Sequence, residues 1–222
     1  MLQAMYLPPQ FKGDHAQAAA LIKEYPFASL ISVDDAGLPY VTHLPLHLEQ
    51  GAQEGPEQAQ WMLLGHVAKA NPHWRHLQTR SQAVVTFLGP HAYLSPKVYP
   101  DLARVPSWNY LAVHCTVQAS LIQEPLAKDQ LLKKLISDHE PTYAEQWRGL
   151  DEEFVQKMLA GIVAFELRVT DLQCKLKINQ HRPESFGVMK ALYAAGTENE
   201  CALAAWMDRL GMSPTPQPGK EN

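Results

Sequence analysis

Phe27-Ala28-Ser29-Leu30-Ile31-Ser32-Val33, then Asp34-Asp35-Ala36-Gly37, then Pro39-Tyr40-Val41-Thr42-His43-Leu44-Pro45-Leu46, is the stretch on which the fold turns. The two outer runs are rich in β-branched, aromatic and aliphatic residues. The break between them holds the acidic residues and the glycine that a tight turn needs. Strands so close in sequence pair antiparallel, because a parallel partner needs a crossover of a dozen residues or more. Upstream, Asp14 can cap a helix running to about Glu24, with Ala18, Leu21 and Ile22 on one face and Pro26 as its stop.

Downstream, Gly51 to Gln58 reads as a polar loop and Trp61 to Val67 as the next strand. Asn71-Pro72 opens a helix that carries Trp74 and Leu77, since asparagine caps and proline suits the first turn. Ala83 to Leu88 and Ala92 to Leu94 are short β runs around a loop, and Asn109 to Ile122 alternates as a long strand. An amphipathic helix over Glu124 to Ser137 follows, then a helix ending at Gln156 to Leu159. Ile162 to Val169 is the last clear strand, Glu198 to Leu210 the last helix, and the Pro-rich tail from Ser213 is expected to be mobile. Strands in sequential hairpins without a βαβ rhythm predict an α+β, mainly β fold: a six-stranded antiparallel barrel with flanking helices.

Composition narrows the function classes. With 46% hydrophobic and 19% charged residues among 222, the chain can bury one sizeable core, and no linker or internal repeat divides it. A net charge of −4 gives no global attraction to nucleic acid, so DNA contact would need a local basic patch. Cys115, Cys174 and Cys201 lie far apart, which argues against a zinc site or a disulfide framework and suits a reducing cytoplasm. The start lacks a basic segment leading into an apolar one, and no window of 18 uncharged apolar residues occurs, so neither export nor membrane spanning is expected.

Three segments could carry chemistry. Gly65-His66-Val67-Ala68-Lys69-Ala70-Asn71-Pro72-His73-Trp74 sets small residues and a lysine where a strand meets a helix, a place suited to a phosphate or to an ordinary capped helix. Phe87-Leu88-Gly89-Pro90-His91-Ala92-Tyr93-Leu94-Ser95-Pro96 and Val105-Pro106-Ser107-Trp108-Asn109-Tyr110 read as rigid loops whose rings could stack on a planar ligand or bury themselves. Lys175-Leu176-Lys177-Ile178-Asn179-Gln180-His181-Arg182 combines cations, amides and an imidazole; it suits a flavin's polar edge or phosphate, or is a solvated basic turn. His73 and His76 share a helix face without a carboxylate to complete a metal set. His114 and Cys115 point to opposite sides of a strand and form no dyad.

In this order, Tyr6-Leu7-Pro8-Pro9, Pro39 to Pro45, Gly65 to Pro72, Gly89 to Pro96, Val105 to Tyr110 and Lys177 to Arg182 resemble the PaiB family of FMN-binding negative transcriptional regulators, over roughly residues 1 to 210. The resemblance implies the split-barrel fold of pyridoxamine-phosphate-oxidase-like flavoproteins, with FMN as cofactor and a homodimer sharing paired sites. Residues 1–210 would form the FMN-binding domain and 211–222 a flexible tail. It further implies that Lys69, with His66, Ala68 and Asn71, lies where the FMN phosphate is held, and that Thr42, His43 and Leu44 run along the flavin. Tyr93, Trp108 and Asn109 would wall the pocket, and Gln180 and Arg182 complete it. Near the end the family run is Lys-x-Ser-Gln-Asn-Arg. This chain departs from it, with Asn179 for the serine and His181 for the asparagine.

The resemblance thus predicts a flavin-responsive transcriptional regulator, although no helix-turn-helix pattern or basic stripe accompanies it. A flavin-dependent oxidoreductase acting on NAD(P)H or a small molecule is the alternative reading. A haem-binding split barrel is the third.

Overall fold

The hairpin forms as read. In the computed structural model, which describes residues 5–51, 60–101 and 103–213, β1 (Phe27–Val33) pairs antiparallel with β2 (Pro39–Pro45), from Phe27 opposite Pro45 to Val33 opposite Pro39. Asp34 closes the turn: its Oδ1 accepts from the amides of Ala36 at 2.9 Å and Leu38 at 2.8 Å. Gly37 sits at φ +82°, where a Cβ would be strained.

The chain does not stop at Pro45. It continues into β3 (His47–Gln50), which pairs antiparallel with β4 (Trp61–Ala68). This four-residue strand is the seventh, one more than expected. It is short and three of its four residues are polar because it lies at the end of the sheet, where only one side needs a partner. Most of the expected polar loop, and the tail beyond Ser213, lie outside the described residues.

A second correction concerns the expected ring-bearing loop from Phe87 to Pro96. Most of it is strand: β5 runs unbroken over Gln82–Leu94, with Gly89 and Pro90 buried inside it. Proline is tolerated in a strand where its missing N–H faces no ladder partner, and an adjacent glycine eases the local bend. β6 (Ser107–Ile122) is as long as the alternation predicted, whereas β7 (Ile162–Lys177) outruns its predicted end and takes Lys175 and Lys177 into the sheet. The sheet order is β2-β1-β5-β6-β7-β4-β3, and β1–β5 and β4–β7 are antiparallel.

Seven α-helices accompany the sheet among the described residues: α1 (His15–Glu24), α2 (His73–Thr79), α3 (Pro125–His139), α4 (Tyr143–Arg148), α5 (Glu152–Ala160), α6 (Phe186–Ala194) and α7 (Glu198–Arg209). No helix is long and apolar enough to cross a membrane.

The chain divides into two compact units. The first comprises Ala16–Phe87 and Val113–Gln173; the second comprises Tyr6–His15, Leu88–Ala112 and the chain from Cys174 onward. In the first, Leu131 and Leu135 of α3 pack on Leu64 of β4 and Ala164 of β7. Gly65 lets strands and side chains close up there: a Cβ on it would lie 2.5 Å from Leu46 Cδ2 and 3.2 Å from Phe165 Cε2. In the second, α6 and α7 bury Met189, Tyr193, Leu203, Trp206 and Met207. A capping box between Thr197 and Glu200 starts α7.

Candidate functional site

Alternation along β2 divides the three residues expected to run along a flavin. Thr42 is half-buried and Leu44 is buried, while His43 points out from the opposite face. There His43 Nδ1 meets Ser29 Oγ of β1 at 3.0 Å and its ring stacks on Phe27.

Thr42 belongs to a closed polar chain. Tyr40 OH donates to Asn71 Oδ1 at 3.3 Å, and the His73 amide donates to the same oxygen at 3.0 Å. Asn71 Nδ2 then donates to Thr42 Oγ1 at 3.2 Å. The Thr42 hydroxyl also lies 2.8 Å from His73 Nδ1, in hydrogen-bonding reach. The buried Nε2 of His73 has no partner among the described residues. Burial first, and His76 second, lower the His73 pKa to about 4, so the ring is neutral near neutral pH. His66, on β4, also keeps a buried Nδ1 without a partner, and burial lowers its pKa.

At the β4–α2 junction, the amides of Lys69, Asn71 and His73 are donated to Gly161 O (2.8 Å), Ala68 O (2.9 Å) and Asn71 Oδ1 (3.0 Å). What the junction presents to an anion is therefore side-chain charge more than free backbone. Ala68 and Lys69 are exposed, and the Lys69 ammonium has no acidic partner among the described residues. Lys69 O is braced by Trp74 Nε1, and the Arg75 guanidinium lies 5.1 Å over the Trp74 ring.

The second unit separates its candidates by face as well. Tyr93 of β5 and Trp108 of β6 are exposed and meet edge to face at 6.2 Å. Asn109, next along β6, is fully buried, and its Nδ2 donates to Tyr193 OH at 2.9 Å. Tyr193 spends its only proton on Tyr93 O, so it can only accept from Asn109, and Asn109 Oδ1 is left buried without a partner. Gln180 turns back on its own chain, accepting from the Ile178 amide at 2.9 Å and donating to Leu176 O. Asn179 is in the left-handed region at φ 66°, which asparagine tolerates, and is pinned by Tyr99 OH and Ser185 Oγ.

Beside this turn lies a cavity of about 300 Å³ lined by Arg104, Asn109, Lys177, His181 and Arg182, with Phe11 and Leu94 among its apolar walls and no acidic lining residue. Lys177 donates to Ser107 Oγ at 2.8 Å and Trp108 O at 2.6 Å. Burial, then Lys175, lowers its pKa; burial, then Arg182, lowers that of His181. Arg104 is absent from the residues singled out in the sequence because a lone arginine in an irregular segment carries no pattern. Tyr40 and His73 lie in segments noted in the sequence, but only the fold carries them to Thr42.

The residues of the first unit fit a flavin phosphate by donor chemistry: an exposed ammonium with no acidic partner among the described residues, together with the Asn71 amide, Thr42 and the neutral His73. Comparisons agree with this chemistry. Residues 5–171 match the family described as "Putative FMN-binding domain". The chain is 32% identical to the protease synthase and sporulation protein PAI 2 of Bacillus subtilis, over 92% of this chain and 97% of that one. Among solved structures, it resembles the FAD and heme binding protein of Mycobacterium smegmatis (TM-score 0.58, 18% identity, 75% of this chain and 72% of that one). It also resembles the flavocytochrome Anf3 of Azotobacter vinelandii (TM-score 0.55, 18% identity, 75% and 68%). The fold is thus shared with those two, and the match to the family extends over most of the chain. The chain belongs to the PaiB-like family of FMN-binding proteins.

Proposed function

We propose that this protein is a homodimeric, FMN-binding transcriptional regulator of the split-barrel type, in which the flavin is a structural or sensing cofactor. The observation that carries the flavin reading is the unpaired Lys69 ammonium within the segment that matches the FMN-binding family. Lys69, with Asn71 and the ends at His66 and Ala68, would hold the phosphate. Thr42, His43 and Leu44 would line the ring along β2. Bound FMN supplies a planar ring whose charge and hydrogen bonding change on reduction. The chain's own residues provide a fixed cation, a neutral His73 and a rigid Tyr40–Asn71–Thr42 chain that keeps β2 and α2 in register.

Exposed apolar side chains support the dimer. Phe27, Val33 and Val41 stand out from the β1–β2 hairpin, with Ile31 opposite Val41 on the same face, and a second copy would cover them. The regulator reading rests on the resemblance to the PaiB family and on the name of the B. subtilis relative, which ties that protein to protease synthesis and sporulation.

The test is the absorbance spectrum of freshly purified protein, followed by a gel-shift of fragments from its own genome with and without FMN. A flavin spectrum and a flavin-dependent shift support the proposal. A protein that neither copurifies with FMN nor takes it up refutes the cofactor, and absence of any shift at moderate salt refutes direct DNA contact. Bleaching of bound flavin by NADH or NADPH would instead favour an oxidoreductase.

A further inference from the structure

We propose that the cavity of the second unit is a binding site for a small organic acid: a carboxylate or phosphate monoester that also bears an N–H or O–H donor. This goes beyond the flavin reading and places Asn109 and Arg182, which the family resemblance sets beside FMN, against a different ligand.

Two features converge on it. The first is charge: Arg104, Lys177 and Arg182 line the cavity without an acidic side chain among them, in a chain whose net charge is −4. Their carboxylate neighbours only partly offset this, because Asp101 bonds Arg104 at 2.9 Å while Glu184 stands 3.9 Å from both Arg104 and Arg182. The buried Nε of Arg104 has no partner. Guanidinium forks are suited to carboxylate and phosphate oxygens.

The second is the orphaned Asn109 Oδ1. A buried carbonyl oxygen without a donor costs on the order of 1–3 kcal/mol. Asn109 lines the cavity, so a ligand N–H or O–H reaching this oxygen from there would satisfy it. At about 300 Å³ the cavity is at the small end of ligand pockets, large enough for a single ring or a short chain.

The lowered pKa values of Lys177 and His181 give the site a signature. An anion placed among them stabilises their protonated forms, so binding should take up protons.

Isothermal titration calorimetry of the full-length protein, as purified and after FMN removal, tests the site with four probes: benzoate, 4-aminobenzoate, phenyl phosphate and, as a neutral control, benzamide. Expected are 1:1 binding of an anionic probe, no binding of benzamide, and tighter binding of 4-aminobenzoate than of benzoate. Heats near pH 6 should differ between buffers of unequal ionisation enthalpy. The better of benzoate and phenyl phosphate identifies the anion. Arg182→Gln and Arg104→Gln should each weaken binding about tenfold, in line with loss of one charge-assisted bond, and Arg104→Gln should leave the flavin spectrum unchanged. Asn109→Leu should abolish the 4-aminobenzoate advantage. Should that buried variant fail to fold, the two arginine variants decide alone. No saturable binding at millimolar probe, binding indifferent to both arginine variants, or full competition by FMN would overturn the proposal.

Discussion

His73 is where a single side chain makes stability depend on pH. Its pKa is 6.5 when unfolded and about 4 in the fold, so between those values the unfolded chain binds the extra proton. Stability from this residue is therefore full above pH 6.5, falls as the pH drops and is gone below about 4. Thermal midpoints measured across that window should fall more steeply in the native protein than in His73→Gln, which is neutral throughout; parallel curves would contradict the reading. Lys69 makes the complementary prediction for the ligand. If its ammonium meets a phosphate, Lys69→Gln should weaken FMN binding about tenfold or more, the worth of a charge-assisted hydrogen bond. Fluorescence titration with FMN measures it, and the loss should shrink as salt is raised. Both residues lie in a segment that stood out in the sequence, yet the sequence could not show that the junction's amides are already engaged. For Lys69 that depends on Gly161 O, which comes from another part of the chain.

At the scale of the strand, β4 is packed without slack. Gly65→Ala would set a methyl against Leu46 and Phe165, and although the first contact is a side-chain end, Leu46 is itself buried. Overpacking of this kind costs about 1–3 kcal/mol. Thermal unfolding should register it as a drop of roughly 2–4 °C per kcal/mol for a chain of this size, and an unchanged midpoint would mean that Leu46 yields freely. The elements with strong alternation or a clear cap, namely β1, β2, β6, α1 and α3, were legible from the sequence. β3 was not, because a four-residue edge strand with one apolar residue, Leu48, is too short to carry a period. The unbroken β5 was hidden by Gly89-Pro90, which reads as a turn until neighbouring strands are present to hold it extended.

For the whole molecule, the exposed apolar face of the β1–β2 hairpin predicts association. Sedimentation equilibrium should report twice the chain mass of 24.9 kDa. Val41→Glu, which sets a charge at the centre of that face, should shift the protein toward monomer while leaving its circular dichroism intact. A monomeric native protein would rule the dimer out, and the paired sites with it.

Local periodicity, turn chemistry and the order of six motifs were enough to determine the hairpin, the mainly antiparallel class and the family. Those signals act between residues close in sequence, or survive as a pattern. Which candidate residues share a face, that Asn109 keeps an unanswered carbonyl, and that Arg104 joins Lys177 and Arg182 around one cavity were decided by tertiary structure alone. Hydrogen-bond satisfaction and charge compensation depend on distances between residues some seventy or more positions apart, and only the folded chain sets those distances.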